Sequence, residues 1–118
     1  MELTFSKQSK TLLVNINGEI DHHTCEQLRT QTQNALEKIR GTHIIFLFQD
    51  VTFMDSSGIG AIIGRYKSVS HLGRRVAVVA PSPQMERIFA LSGIQKLIPA
   101  FATKEEAFLY VEEGRNNG

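Results

Sequence analysis

Met54-Asp55-Ser56-Ser57-Gly58-Ile59-Gly60 sets two hydroxyls, a carboxylate and two glycines where an apolar run gives way to a helical repeat. Free backbone N–H groups and the positive end of the dipole at such a helix start favour negative charge. A serine there can cap the helix, and a phosphate on it would meet the positive end of the dipole. Asp55 can hold the serine hydroxyl or discourage a second anion. The plainer reading is an N-cap followed by glycines that let helix and sheet approach closely, because Ser and Asp are common caps. Spacing alone leaves both readings open.

Other chemistries fit the segment less well. Gly58, Gly60 and Gly64 suggest a dinucleotide turn, but the third glycine of G-x-G-x-x-G falls on Ile63. The next strand ends in Ala80-Pro81, with no acidic residue for a ribose hydroxyl. A hydrolase elbow, G-x-S-x-G, would need glycine where Met54 precedes Ser56 or Asp55 precedes Ser57. His22, His23, His43 and His71 could supply a base, yet nothing in the sequence pairs one with a serine. Adjacent His22 and His23 diverge on a helix and make a poor metal pair. Cys25 reads as a small buried residue, and Arg65, Lys67, Arg74 and Arg75 as solvated charges.

A second turn, Gly18-Glu19-Ile20-Asp21-His22-His23, also follows a strand and opens a helix. Two such turns from parallel strands can share one edge of a sheet, where ligands and partners dock. By itself the segment is a turn plus a cap.

The elements that must position these turns follow from periodicity. Leu3 to Phe5 and Leu12 to Asn17 read as strands, the second with Leu12, Val14 and Ile16 on one face, until Gly18 breaks the pattern. Asp21 is a candidate N-cap for a helix carrying Leu28, Thr32, Ala35, Leu36 and Ile39 at three- and four-residue spacing, with Gly41 as its C-cap. His43 to Phe48 is a continuous apolar run, as in a strand buried on both faces, and Gln49 to Asp55 a connection. Ile59, Ile62, Ile63, Tyr66 and Val69 predict a helix ending near Gly73. Arg75 to Ala80 predicts a strand stopped by Pro81 and Pro83, and Met85, Ile88, Phe89 and Leu91 a helix closed by Gly93. Leu97-Ile98-Pro99 reads as a short strand. Thr103 caps a last helix with Phe108, Leu109 and Val111 on its apolar side. Alternating strands and helices require crossovers, so the expectation is one α/β domain over residues 1–113, with a polar tail at 114–118. Its sheet is mostly parallel, four- to five-stranded, with about four helices.

Composition bounds the partners. Of 118 residues, 42% are hydrophobic and 21% charged, enough apolar surface to fold. Thirteen basic against twelve acidic residues argues against a nucleic-acid binder. The apolar runs are too short to span a bilayer, and the first residues lack a secretory pattern. A single cysteine excludes an internal disulfide, and the expectation is a reduced, cytosolic compartment.

Gly18-Glu19-Ile20-Asp21, the strand before Asp50, Met54 to Gly60, Gly64-Arg65-Tyr66-Lys67 and Leu91-Ser92-Gly93-Ile94 together resemble the STAS domain of anti-sigma factor antagonists over nearly the whole chain. Asp21-His22-His23-Thr24 with Gly64 to Lys67 is similar to the sporulation branch rather than to the stress-response relatives. The resemblance implies a regulator with neither catalysis nor cofactor of its own. Its partner, an anti-sigma factor that is itself a serine kinase, would bring the ATP. The unphosphorylated form would bind that kinase and free sigma-F for forespore transcription. Phosphorylation on Ser56 would end binding, and a PP2C-type phosphatase would reverse it. Asp21, Asp55, Ser56, Ser57, Gly58, Ile59 and Gly60 would form the partner-binding surface. A cytoplasmic monomer, without nucleic-acid or membrane partners, is the accompanying expectation. A small purine-nucleotide-binding domain or a serine hydrolase is the alternative.

Overall fold

Alternating apolar side chains draw the first two segments of the chain into a hairpin. The computed structural model describes residues 1–39, 42–80 and 82–114. Strand β1 (Glu2–Gln8) pairs antiparallel with β2 (Thr11–Ile20), from Glu2 opposite Asn17 to Gln8 opposite Thr11. From β2 onward each strand joins the sheet parallel to the last: β3 (His43–Met54), β4 (Val76–Val79) and β5 (Ala100–Phe101), in the order β1-β2-β3-β4-β5.

A parallel sheet that grows in one direction through right-handed crossovers carries its crossover helices on one face. Accordingly α1 (Cys25–Lys38), α2 (Ser56–Ser70) and α3 (Pro83–Ser92) share one core with the inward residues of the strands. Leu28 and Leu36, Ile62 and Val69, and Met85 and Phe89 are their buried side chains there. The opposite face is closed by α4 (Lys104–Glu113), whose Ala107 and Val111 cover Leu13, Ile45, Ala77 and Val79. Thr103 caps α4 as its sequence predicts, its hydroxyl oxygen accepting from the Glu106 N–H at 3.2 Å. No described helix is long and apolar enough to cross a membrane.

The strands run further than their apolar patterns. Gly18 does not end β2; it sits inside the strand at φ 113°, next to a shift in register, where a Cβ would lie 3.3 Å from the Met1 Cα. A residue in that conformation bends the strand instead of stopping it. Gln49 to Met54 is likewise strand rather than connection, pairing with β2 as far as Ile20 opposite Met54. Because β4 pairs only with Ile44 to Leu47, the ends of β2 and β3 project past it as a two-stranded spur.

Three other expectations change. Leu97-Ile98-Pro99 is not a strand: a 3-10 turn at Ile94–Lys96 buries Ile94 and Ile98, and the edge strand β5 follows at Ala100. Leu91 is 82% exposed, so the apolar side of α3 consists of Met85 and Phe89 with Ile88 partly buried. Asp21 precedes a turn, and Thr24 occupies the capping position of α1. Gly41 and Pro81 lie outside the described residues, as does the tail beyond Gly114.

Candidate functional site

The start of α2 is held by Asp55, not by a serine. Its Oδ1 accepts from the Ser57 N–H at 2.9 Å and the Gly58 N–H at 3.3 Å, with the backbone extended at φ −102°, ψ −173°. Its carbonyl accepts the first helical bond, from the Ile59 N–H. These bonds satisfy the N–H groups that a helix start otherwise leaves open, apart from that of Ser56. Ser56 is exposed, and its hydroxyl has no hydrogen-bond partner among the described residues. Ser57 is half-buried beside it.

Gly58 explains why helix and sheet meet so closely here. A Cβ on it would lie 2.7 Å from Ile20 Cγ2, 2.7 Å from Met54 Cγ and 3.0 Å from the Ile20 carbonyl oxygen. Gly60, one residue past Ile59, faces nothing within 4 Å and is exposed. Of the seven residues singled out in the sequence, Gly58 is buried as a spacer and Ser56 and Gly60 are exposed. Asp21, Asp55, Ser57 and Ile59 are partly exposed between them.

Parallel pairing of β2 and β3 brings the two turns together. Ile20 lies opposite Met54, and the Asp55 N–H donates to the Ile20 carbonyl at 3.1 Å. Asp21 Oδ1 accepts from the His23 N–H at 2.9 Å and the Thr24 N–H at 3.0 Å, while the Thr24 hydroxyl donates to the Glu19 carbonyl at 2.9 Å. The Thr24 N–H holds the Asp21 carboxyl below its ordinary value; burial opposes this, and the His23 N–H, Thr24 hydroxyl and His23 charge add to it. Asp21 therefore stays anionic. Asp21 and Asp55 thus put two carboxylates on the paired turns, with Glu19 and Asp50 exposed further down the spur.

No described histidine hydrogen-bonds to either serine. His22 and His23 make an edge contact with each other at 5.7 Å, and both are exposed. His43 lies at the opposite end of β3, where its Nδ1 accepts from the Arg75 N–H at 2.9 Å. Cys25 is buried and its thiol points to the His22 carbonyl at 3.4 Å. Arg65 departs from the expectation of a solvated charge: it is half-buried between α1 and α2, and its guanidinium Nη1 donates to Gln33 Oε1. Burial, and then the charge of Arg29, pull its pKa down. The signal for it was an arginine between Ile62 and Val69 at the spacing of an inward stripe.

The STAS domain matches residues 2–107 of the chain. An anti-sigma F factor antagonist of Paenibacillus polymyxa is 32% identical over 112 residues, 95% of this chain and 96% of that one. A protein of the same description from Lysinibacillus sphaericus is 35% identical over 98 residues, 83% of each chain. Among solved structures, the anti-sigma factor antagonist SpoIIAA superposes in its unphosphorylated form with a TM-score of 0.69 at 32% identity, covering 91% of this chain and 94% of SpoIIAA. The phosphorylated form, described as the Bacillus cell fate determinant, gives the same TM-score and identity over 97% and 100%. The order of strands, the paired turns and this likeness along the length of the chain agree, and the chain belongs to the STAS-domain family of anti-sigma factor antagonists.

Proposed function

We propose that this chain, unphosphorylated, binds an anti-sigma factor with serine kinase activity, and that phosphorylation of Ser56 ends the binding. The observation that carries the reading is Ser56 itself. It is exposed and unbonded at the first position of α2, while Asp55 beside it carries the cap. A kinase can reach that hydroxyl without dismantling the helix.

The charge then acts on the interface. A phosphate adds about −1.5 to −2 charge. Asp55 has already taken the Ser57 and Gly58 N–H groups, so the helix start has little left with which to absorb a dianion. Asp55 beside it and Asp21 on the adjoining turn add like charge. The phosphate therefore stands outward, against the surface that the partner covers. A loss of about 3 kcal/mol there weakens binding more than a hundredfold. Asp21, Ser57, Ile59 and Gly60 complete the contact surface, with Gly58 shaping it from below.

The sporulation branch is the setting we favour, because the anti-sigma F factor antagonists match 95% and 83% of the chain at 32% and 35% identity, while an anti-sigma-B factor antagonist at 32% matches 78%. In that setting sigma-F is released, a PP2C-type phosphatase regenerates the active form, and the exchange runs in the cytoplasm. ATP is the kinase's cofactor; the antagonist contributes only its hydroxyl.

The test is intact mass with site mapping after incubation with the host's anti-sigma kinase and ATP. One added phosphate on Ser56, absent in Ser56→Ala, supports the switch. Phosphate on Ser57, or none from a kinase active on another substrate, refutes it. Loss of activity on replacing His22 or His23 in a hydrolase assay would instead favour an enzyme.

A further inference from the structure

Between α1 and α2 lies an open cleft of about 280 Å³ lined by Arg29, Thr30, Gln33, Asn34 and Arg65. The lining contains two guanidinium groups and no carboxylate. Arg65 is half-buried, yet it has no acidic partner among the described residues, and its Nε is buried without a hydrogen bond. Gln33 takes one of its five donors. The Gln33 amide that accepts it donates in turn from its Nε2 to exposed Glu37 at 3.3 Å. Arg29 stands at the same cleft, tethered loosely to exposed Glu26 at 3.3 Å.

A partly desolvated charge without a counter-charge is costly in the free protein, and the cost is recovered when an oxyanion arrives. Arginine presents a planar fork that suits a carboxylate in two-point contact. The position indicates where the carboxylate comes from. Arg65 lies nine residues along α2 from Ser56, roughly 14 Å at 1.5 Å per residue. Arg29 is about one turn into α1, which starts beside Asp21. Both lie within the reach of an ordinary protein interface of about 800 Å² per partner centred on the α2 start.

We propose that Arg65 and Arg29 form a second recognition point, at which an acidic side chain of the bound partner inserts its carboxylate between α1 and α2. The idea rests on the binding reading above and gives that surface two poles. The acidic spur at Asp21 and Ser56 calls for a basic group on the partner, and the arginine cleft calls for an acidic one. A partner with both in register is fixed in orientation, and like-charged arrangements are rejected.

The experiment measures the affinity of the full chain for its anti-sigma factor at two ionic strengths, for wild type, Ser56→Asp, Arg29→Gln, Arg65→Gln and Arg65→Lys. The expected result is about a tenfold loss for Arg65→Gln, roughly threefold for Arg29→Gln, partial recovery in Arg65→Lys, and a flatter salt dependence in both glutamine variants. Thermal melts accompany each; if Arg65→Gln fails to fold, exposed Arg29→Gln carries the decision. Affinities within twofold of wild type with an unchanged salt slope, while Ser56→Asp binds weakly, overturn the cleft and leave the switch standing. A wild-type chain that does not bind the anti-sigma factor overturns both. Arg65-dependent stabilisation of the free chain by low-millimolar inorganic phosphate would show that the cleft takes a free anion, and would overturn the partner carboxylate.

Discussion

The backbone N–H of Asp55 donates to the carbonyl of Ile20 at 3.1 Å, which ties the last residue of β2 to the cap of α2. One hydrogen bond between residues 35 apart thereby sets Asp21, the next residue after Ile20, against the turn that carries Ser56. The two turns act as one surface because the two strands end together.

Gly58 and Gly60 should respond in opposite ways to the same substitution. Gly58→Ala forces a methyl to within 3.0 Å of Ile20 and Met54 atoms, and should cost about 1–3 kcal/mol in a urea melt. Gly60→Ala meets nothing, and should gain about 0.5–1 kcal/mol from helix propensity. If Gly60 lies under a partner, the same variant binds more weakly despite being more stable.

Asp55→Ala removes the acceptor of two N–H groups and should lose about 1 kcal/mol of stability. Asp55→Asn keeps an acceptor and should lose less. Equal losses in the two variants would mean that the charge, rather than the cap geometry, holds the helix start.

Asp21→Asn separates turn from interface. Oδ1 serves the loop, and the second carboxylate oxygen makes no hydrogen bond among the described residues. An amide retains the first contact and deletes the charge. The melting temperature should hold while affinity for the anti-sigma factor falls about tenfold, or about 1.4 kcal/mol. Unchanged affinity removes Asp21 from the interface.

Acidification should weaken the fold in stages. Burial, with the charge of Arg75, holds the His43 pKa below its ordinary 6.5, Glu112 opposing. The unfolded chain thus takes up the proton first, so stability is full above 6.5 and declines as pH falls towards the folded value. Protonation also removes Nδ1 as acceptor for the Arg75 N–H. For Glu112, burial raises the pKa, but the Lys10 N–H and the Thr11 and Ser9 hydroxyls together bring it below 4.5. Asp21 lies below 3.8. Both contribute fully above those ordinary values and lose the contribution as pH falls through the folded ones. Urea midpoints at pH 7.5, 6.0 and 4.0 should decline for wild type, and His43→Asn should flatten the part of the decline that begins near 6.5 and runs on below 6.0.

The parts of the fold written in strict periodicity were legible. The apolar run of β3, the stripe of α2 and the Thr103 cap announce themselves because burial selects their side chains. The spur was not legible, because Gln49, Asp50 and Thr52 are exposed and leave no apolar alternation to read, although Asp50, Val51, Phe53 and Met54 still pair with β2. Gly18 misled for a related reason: a glycine that bends a strand and one that ends it look alike in sequence. At the site, the meeting of the two turns followed from parallel pairing. The division of labour between Asp55 and Ser56 did not, since either residue can cap a helix. Arg65 was missed because a charge inside an apolar stripe reads as surface until its neighbours are known.

That Asp55 alone anchors the start of α2 has a consequence for descent. Position 56 bears no folding duty, so one codon change there leaves the scaffold intact and alters only what the cell can do with that surface. Positions 55 and 58 have no such freedom. Neighbouring residues thus answer to different selective pressures: the side chain at 56 can change without a compensating mutation elsewhere, whereas those at 55 and 58 cannot.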